Sequence, residues 1–158
     1  MSELVTKRLC LRRYVSDDIT NFVALNTDPV VREKMDGAKS LKEAQNFFRK
    51  LLVSEELCWA IISGDNYIGH CFLSSTDLPN VLELGFLLHQ KYWGQGFATE
   101  AAQVLVDYAR NSDRVREIIA TVDEDNFASI CVLKKIGLQL KAIEKDEEGE
   151  YCLYSLCC

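Results

Sequence analysis

The chain has 158 residues, of which 48% are hydrophobic and 27% charged, and its formal net charge is −6. That length suits one domain able to bury roughly 70% of its unfolded surface. The acidic balance makes nucleic acid a poor partner, since no basic field offsets phosphate. No apolar run approaches the ~18 residues of a membrane span, and the opening stretch MSELVTKRLCLRRY lacks a signal-peptide core. The seven cysteines are odd in number and contain no C-x-x-C pair, which reads as reduced thiols and a cytoplasmic location. The two histidines, His70 and His89, lie in different segments without a ligand-spaced partner, so no metal is expected.

Leu4 to Tyr14 alternates around Leu9 and Leu11 and predicts a first strand. Ser16-Asp17-Asp18 is an N-cap cluster, and Ile19, Phe22, Val23 and Leu25 then form a helical face. Asn26-Thr27-Asp28-Pro29 ends it, because the residue before proline avoids the α region. A short second helix is predicted from Val30 to about Met35. Ser40 and Glu43 make a capping box for a helix whose apolar face carries Leu41, Ala44, Phe47, Phe48, Leu51 and Leu52.

Three strands follow: Cys58 to Ile62, Tyr67 to Ser74 and Val81 to Leu88. Ser63-Gly64-Asp65-Asn66 and Asp77-Leu78-Pro79-Asn80 form the turns between them, which predicts an antiparallel meander. A helix from Ala98 to Arg110 and a strand from Val115 to Val122 come next. A strand, helix, strand succession implies a parallel pair. Asp123 to Asn126 leads into a helix stopped by Gly137, and two more strands close the chain around a charged hairpin tip, Lys145 to Glu150. The pattern predicts a mixed sheet with helices on both faces.

The compact turn Tyr92-Trp93-Gly94-Gln95-Gly96-Phe97-Ala98-Thr99 sits between the Val81 strand and a helix. Such a turn is an anion site, since free N–H groups and the helix dipole point the same way. A dinucleotide fingerprint would need a third glycine where Thr99 stands, and a P-loop would need Gly-Lys-Ser/Thr. Neither is present.

Trp93-Gly94-Gln95-Gly96-Phe97-Ala98 resembles the acyl-CoA pyrophosphate loop of the GNAT superfamily of N-acetyltransferases, with Trp93 where Gln or Arg is usual. The opening TKRLCLRRYVSDD, the strand Leu82-Glu83-Leu84-Gly85-Phe86 and the stretch from Asn126 to Leu138 resemble the RimJ/RimL-type branch, which acetylates ribosomal-protein N-termini. The resemblance spans nearly the whole chain. It implies an α/β (α+β mixed) domain with a central, mostly antiparallel sheet of about six to seven strands.

It also implies acetyl-CoA as cosubstrate, without metal. The expected cofactor contacts are Phe86, Leu87 and Leu88 on the pantetheine arm, the loop residues Trp93, Gly94, Gln95, Gly96, Phe97, Ala98 and Thr99, and Asn126. Glu83, an acid within an apolar strand, is the candidate base, against a plain ion-pairing or solvent-facing role. Many family members carry a tyrosine seven residues after the capping asparagine, where this chain has Leu133. Ser129 is therefore the candidate acid, against a bond to its own helix backbone. The acceptor implied first is a protein N-terminal α-amino group. A small amine (a polyamine or amino-sugar) and a catalytically silent acyl-CoA-binding module are the alternatives. Monomer and homodimer both remain open.

Overall fold

The computed structural model describes residues 3–147 and 149–158. Its elements are β1 (Leu4–Val5), β2 (Cys10–Arg12), α1 (Ile19–Thr27), α2 (Leu41–Val53), β3 (Leu57–Ser63), β4 (Asn66–Ser75), β5 (Val81–Leu88), α3 (Phe97–Arg110), β6 (Glu117–Asp123), α4 (Phe127–Lys135), β7 (Gln139–Lys145) and β8 (Glu150–Cys157). The strands form one sheet in the order β1-β2-β3-β4-β5-β6-β8-β7. The β3-β4-β5 meander is antiparallel as predicted, and β5 and β6 are parallel.

The sheet has eight strands among the described residues, not six to seven. The extra strand arises because the expected Leu4 to Tyr14 strand reverses on itself. The Thr6 hydroxyl accepts the Leu9 N–H at 3.0 Å, the Thr6 N–H donates to the Leu9 carbonyl at 2.9 Å, and β1 folds back antiparallel on β2. Alternation registers which face each side chain takes, but not where a side-chain hydroxyl closes a turn.

The predicted helix from Val30 to Met35 is also absent, and residues 29–36 form successive turns. The segment is held from outside instead. Buried Arg32 donates to the Gly37 carbonyl at 2.7 Å and to the Asn26 side-chain oxygen at 3.2 Å, and it pairs with Asp36. Ser16–Asp18 is a 3-10 turn that leads into α1, and Asp18 stands at the α1 N-cap without a side-chain bond to the helix; its carboxylate is buried against Arg12 in a bidentate pair at 2.7 and 2.9 Å.

The other local signals hold. Ser40 and Glu43 exchange both capping-box bonds. Asn126 caps α4 by accepting the Ser129 N–H, and the helix ends ahead of Gly137, at φ +95°. On α2 the buried face narrows to Ala44, Phe48 and Leu51, leaving Leu41 exposed. The charged hairpin tip includes Glu148, which lies outside the described residues.

Two hydrophobic cores lie on opposite faces of the sheet. Trp59 and Ile61 of β3 join Leu105, Val106 and Leu133 of α3 and α4, whereas Ala60 between them joins Phe22, Leu25 and Phe48 of α1 and α2. The period-2 alternation of a strand buried on both sides produces this division. It places α1 and α2 over one face and α3 and α4 over the other.

Candidate active site

Pairing between β5 and β6 covers only Val81↔Glu117, Leu82↔Ile118 and Glu83↔Ile119. Beyond those pairs β5 runs on to Leu88 and β6 to Asp123, and the strands part. A cavity of about 630 Å³ fills the opening. It is lined by residues 83–88 of β5 and 120–122 of β6, by the turn entering α3 and by one side of α4. Every candidate site residue lines it except Gln95.

The ladder decides which backbone groups face the opening. Leu87 is registered on His70 of β4, and the Leu87 carbonyl lies 2.1 Å from where a Cβ on Gly69 would sit. The His89 N–H donates to Ile68 on the same side. Alternation along an antiparallel strand then turns the backbone groups of Leu84, Phe86 and Leu88 away from β4. Phe86 and Leu88 therefore turn backbone groups toward the cavity, whereas the backbone groups of Leu87 face β4 and its side chain packs with Phe22 and Leu25.

The Leu88 carbonyl is already engaged. The Trp93 indole N–H donates to it at 2.8 Å, which folds the turn back on the strand end. The residue standing where Gln or Arg is usual thus acts through its side chain on the protein itself.

The turn is shaped for an anion. Gly94 and Gly96 have φ of +70° and +79°, a region that side chains other than glycine rarely enter. Gly96 caps α3, whose first helical bond runs from the Glu100 N–H to the Gly96 carbonyl. The N–H groups of Phe97, Ala98 and Thr99 lie ahead of that bond, in the turn where helix N–H groups have no intrahelical acceptor. Together with the helix dipole they form an anion-binding turn. Gln95 faces elsewhere. Its amide donates to the Lys91 carbonyl at 2.8 Å, and its own carbonyl accepts from Arg8 at 2.9 Å.

Glu83 is half-buried at the point of parting, and its Oε1 accepts the Thr121 hydroxyl at 2.8 Å. Ser129 lines the cavity from α4, and its N–H, rather than its hydroxyl, is bonded to Asn126. Leu133 is 2% exposed within the core, so no acid stands at that helix position.

Next to Glu83, Gly85 is required by contact. A Cβ there would lie 2.1 Å from the Phe72 ring, which covers Gly85 from β4 and lines the cavity. Sequence reasoning read Phe72 as core, passed over Thr121 and did not single out Val31, Lys34 or Met35 of the turns after α1, all of which line the cavity. No local pattern marks them, because each reaches the cavity only through the tertiary fold. A second concavity, of about 450 Å³, shares Lys34, Met35, Thr121 and Val122 with the first and adds Asp36, Asp123, Asp146, Glu150 and Tyr151. Among the described residues no group of three or more His, Cys, Asp or Glu side chains is arranged to hold a metal ion. No helix there is long and apolar enough to cross a membrane.

The parted strand pair and the glycine turn at the α3 N-terminus thus border one continuous cavity. The family described as acetyltransferase (GNAT) domain matches residues 8–139. The chain is 30% identical over 157 residues to the uncharacterised N-acetyltransferase p20 of Bacillus licheniformis, covering 94% of this chain and 88% of that protein. Among solved structures it superposes with a TM-score of 0.84 on RimL, a ribosomal L7/L12 alpha-N-protein acetyltransferase in complex with coenzyme A. The two are 17% identical, with 99% of this chain and 98% of that one covered. The TM-score is 0.83 on spermidine N-acetyltransferase from Vibrio cholerae in complex with CoA and spermine, at 16% identity and 96% coverage of each chain.

The chain belongs to the GNAT acetyltransferase family. It is an acetyl-CoA-dependent N-acyltransferase.

Proposed function

We propose that the protein transfers the acetyl group of acetyl-CoA to a primary amine, with Glu83 as the base. The observation that carries this reading is the position of Glu83, a carboxylate lining the cavity where β5 and β6 part. Acetyl-CoA supplies the activated acyl group. The turn N–H groups at Gly96, Phe97, Ala98 and Thr99 hold its diphosphate. The backbone of Phe86 and Leu88 holds the pantetheine arm, and an N–H there polarises the thioester carbonyl. One such donor contributes roughly 10²–10³ in rate.

An α-amino group has a pKa near 8 and a lysine near 10.4, so the acceptor must lose a proton before it attacks. Glu83 takes that proton, directly or through a water, and Thr121 orients its carboxylate. Ser129 donates to the leaving thiolate. Amine and thioester meet in one ternary complex, and positioning supplies much of the rate.

The first acceptor is a protein N-terminal α-amino group, on the strength of the RimJ/RimL-type opening and the fold shared with RimL. A small polyamine is the second reading. It is supported by the concavity that reaches Thr121, where the acidic side chains Asp123, Asp146 and Glu150 outnumber the one lysine, Lys34. One thiol-release assay with acetyl-CoA separates the two, using N-terminal peptides and spermidine as acceptors. Turnover of peptides alone supports the first reading, and turnover of spermidine alone supports the second. Binding of CoA with no turnover on any amine would identify a silent acyl-CoA-binding module.

A further inference from the structure

The N-terminal hairpin reaches the glycine turn chiefly through Arg8, with Thr6 beside it bonding Glu100. Arg8 lies in the turn between β1 and β2. Its Nε is 2.7 Å from Glu100 Oε2, and its Nη1 donates to the Gln95 carbonyl at 2.9 Å. Its guanidinium lies over the Phe97 ring, 4.3 Å from the centroid, and its Nη2 is 3.4 Å from where a Cβ on Gly96 would sit. Arg8 thus spans the turn from Gln95 to Glu100, contacting residues about ninety positions away in sequence.

Glu100 gives this arrangement its meaning. It lies in the first turn of α3, where its charge competes with any anion for the same helix end. Its carboxylate is consumed by other donors: Thr6 Oγ1 at 2.6 Å and the Arg8 N–H at 2.9 Å, both on Oε1, and Arg8 Nε on Oε2. Burial raises its pKa, but the hydrogen bonds from Thr6 and Arg8 outweigh burial and leave it below the ordinary carboxylate value.

We propose that Arg8 is a positioning residue for the donor's diphosphate, fixing the Gln95 carbonyl away from the cavity and neutralising Glu100 so that the α3 N-terminus accepts an anion. This rests on the reading of the turn as the CoA diphosphate site. A planar fork suits the task better than an ammonium, since one guanidinium bonds the carbonyl, pairs the carboxylate and stacks on the ring together. The role is carried by Arg8 acting on the turn, not by contact with the reacting atoms.

The test compares binding of CoA with binding of S-acetylpantetheine, which lacks the nucleotide and its phosphates, by calorimetry on the full chain. Arg8→Ala is expected to weaken CoA about tenfold, the loss of one charge-assisted contact set. It is expected to leave S-acetylpantetheine little changed, so the affinity ratio collapses by about that factor. Replacing Glu100 as well, in Arg8→Ala/Glu100→Gln, should recover several-fold of the ratio. Arg8→Lys keeps the charge without the fork and should fall between, which guards against an alanine variant that does not fold. Equal weakening of both ligands, or an unchanged ratio in both Arg8 variants, would overturn the proposal. A wild-type chain that binds CoA no better than S-acetylpantetheine would overturn the diphosphate assignment itself, and the role of Arg8 with it.

Discussion

The Thr121 hydroxyl donates to the Glu83 carboxylate at 2.8 Å, across the line where β5 and β6 part. The bond ties the proposed base to the opposite wall of the cavity and fixes one of its oxygens. Glu83→Gln keeps the shape and removes the proton acceptor. The expected loss in kcat is about 10²-fold or more, with CoA affinity retained. The deficit should be largest at low pH, where the acceptor amine carries its proton. Thr121→Val leaves the carboxylate and removes only its tether, so its loss should be smaller. A pH–rate profile of Glu83→Gln that parallels the wild type would remove Glu83 from the role.

Gly96→Val should abolish CoA binding. The residue is at φ +79°, where a β-branched side chain is strained, and the phosphate must approach its backbone closely. A ligand that binds only the folded state stabilises it by RT ln(1 + [L]/Kd) and so raises the melting temperature. Acetyl-CoA should protect the wild type against heat and leave Gly96→Val unprotected.

Trp93→Phe keeps a smaller aromatic side chain and deletes the bond from the indole N–H to the Leu88 carbonyl. The stability cost should be about 1 kcal/mol, the net worth of one such bond, read from chemical denaturation. The end of β5 should loosen with it, so KM for acetyl-CoA should rise a few-fold while kcat changes less.

His70 should make the fold acid-sensitive well above the carboxylate range. Burial pushes its imidazole down to about 3, and repulsion from Arg32 and His89 adds to the effect. In the unfolded chain the same group titrates near 6.5. Below pH ~6.5 the unfolded state therefore binds a proton that the folded state refuses, and stability falls as pH drops toward about 3. The slope approaches about 1.4 kcal/mol per pH unit for one proton. His70→Gln should remove that slope between pH ~6 and ~4 and match the wild-type trend above pH ~7. Parallel stability curves for the two proteins would exclude this account.

Much of the candidate site is legible in the sequence. The glycine turn, the strand feeding it, the capping asparagine of α4 and the lack of a tyrosine at Leu133 are local features, and their order is enough to suggest an acyl-CoA fold. Asn126 shows how far that goes. A capping residue is read from its own position and the helix behind it. Arg8 shows the limit. It sits in a visible TKR run, but its partners Gln95 and Glu100 follow about ninety residues later, and no spacing rule links them.

The sequence by itself determined the periodic elements, the caps and the glycine turn, because these depend on interactions within a few residues. The tertiary structure alone decided the rest. It showed β5 and β6 separating after Glu83↔Ile119, with Leu88 facing the opening and Leu87 turned to β4. It folded Leu4 to Tyr14 into two strands and brought Arg8 to the glycine turn. A one-residue change in register reverses every backbone and side-chain direction along a strand. Register is set by the partner strand, which the local sequence does not contain.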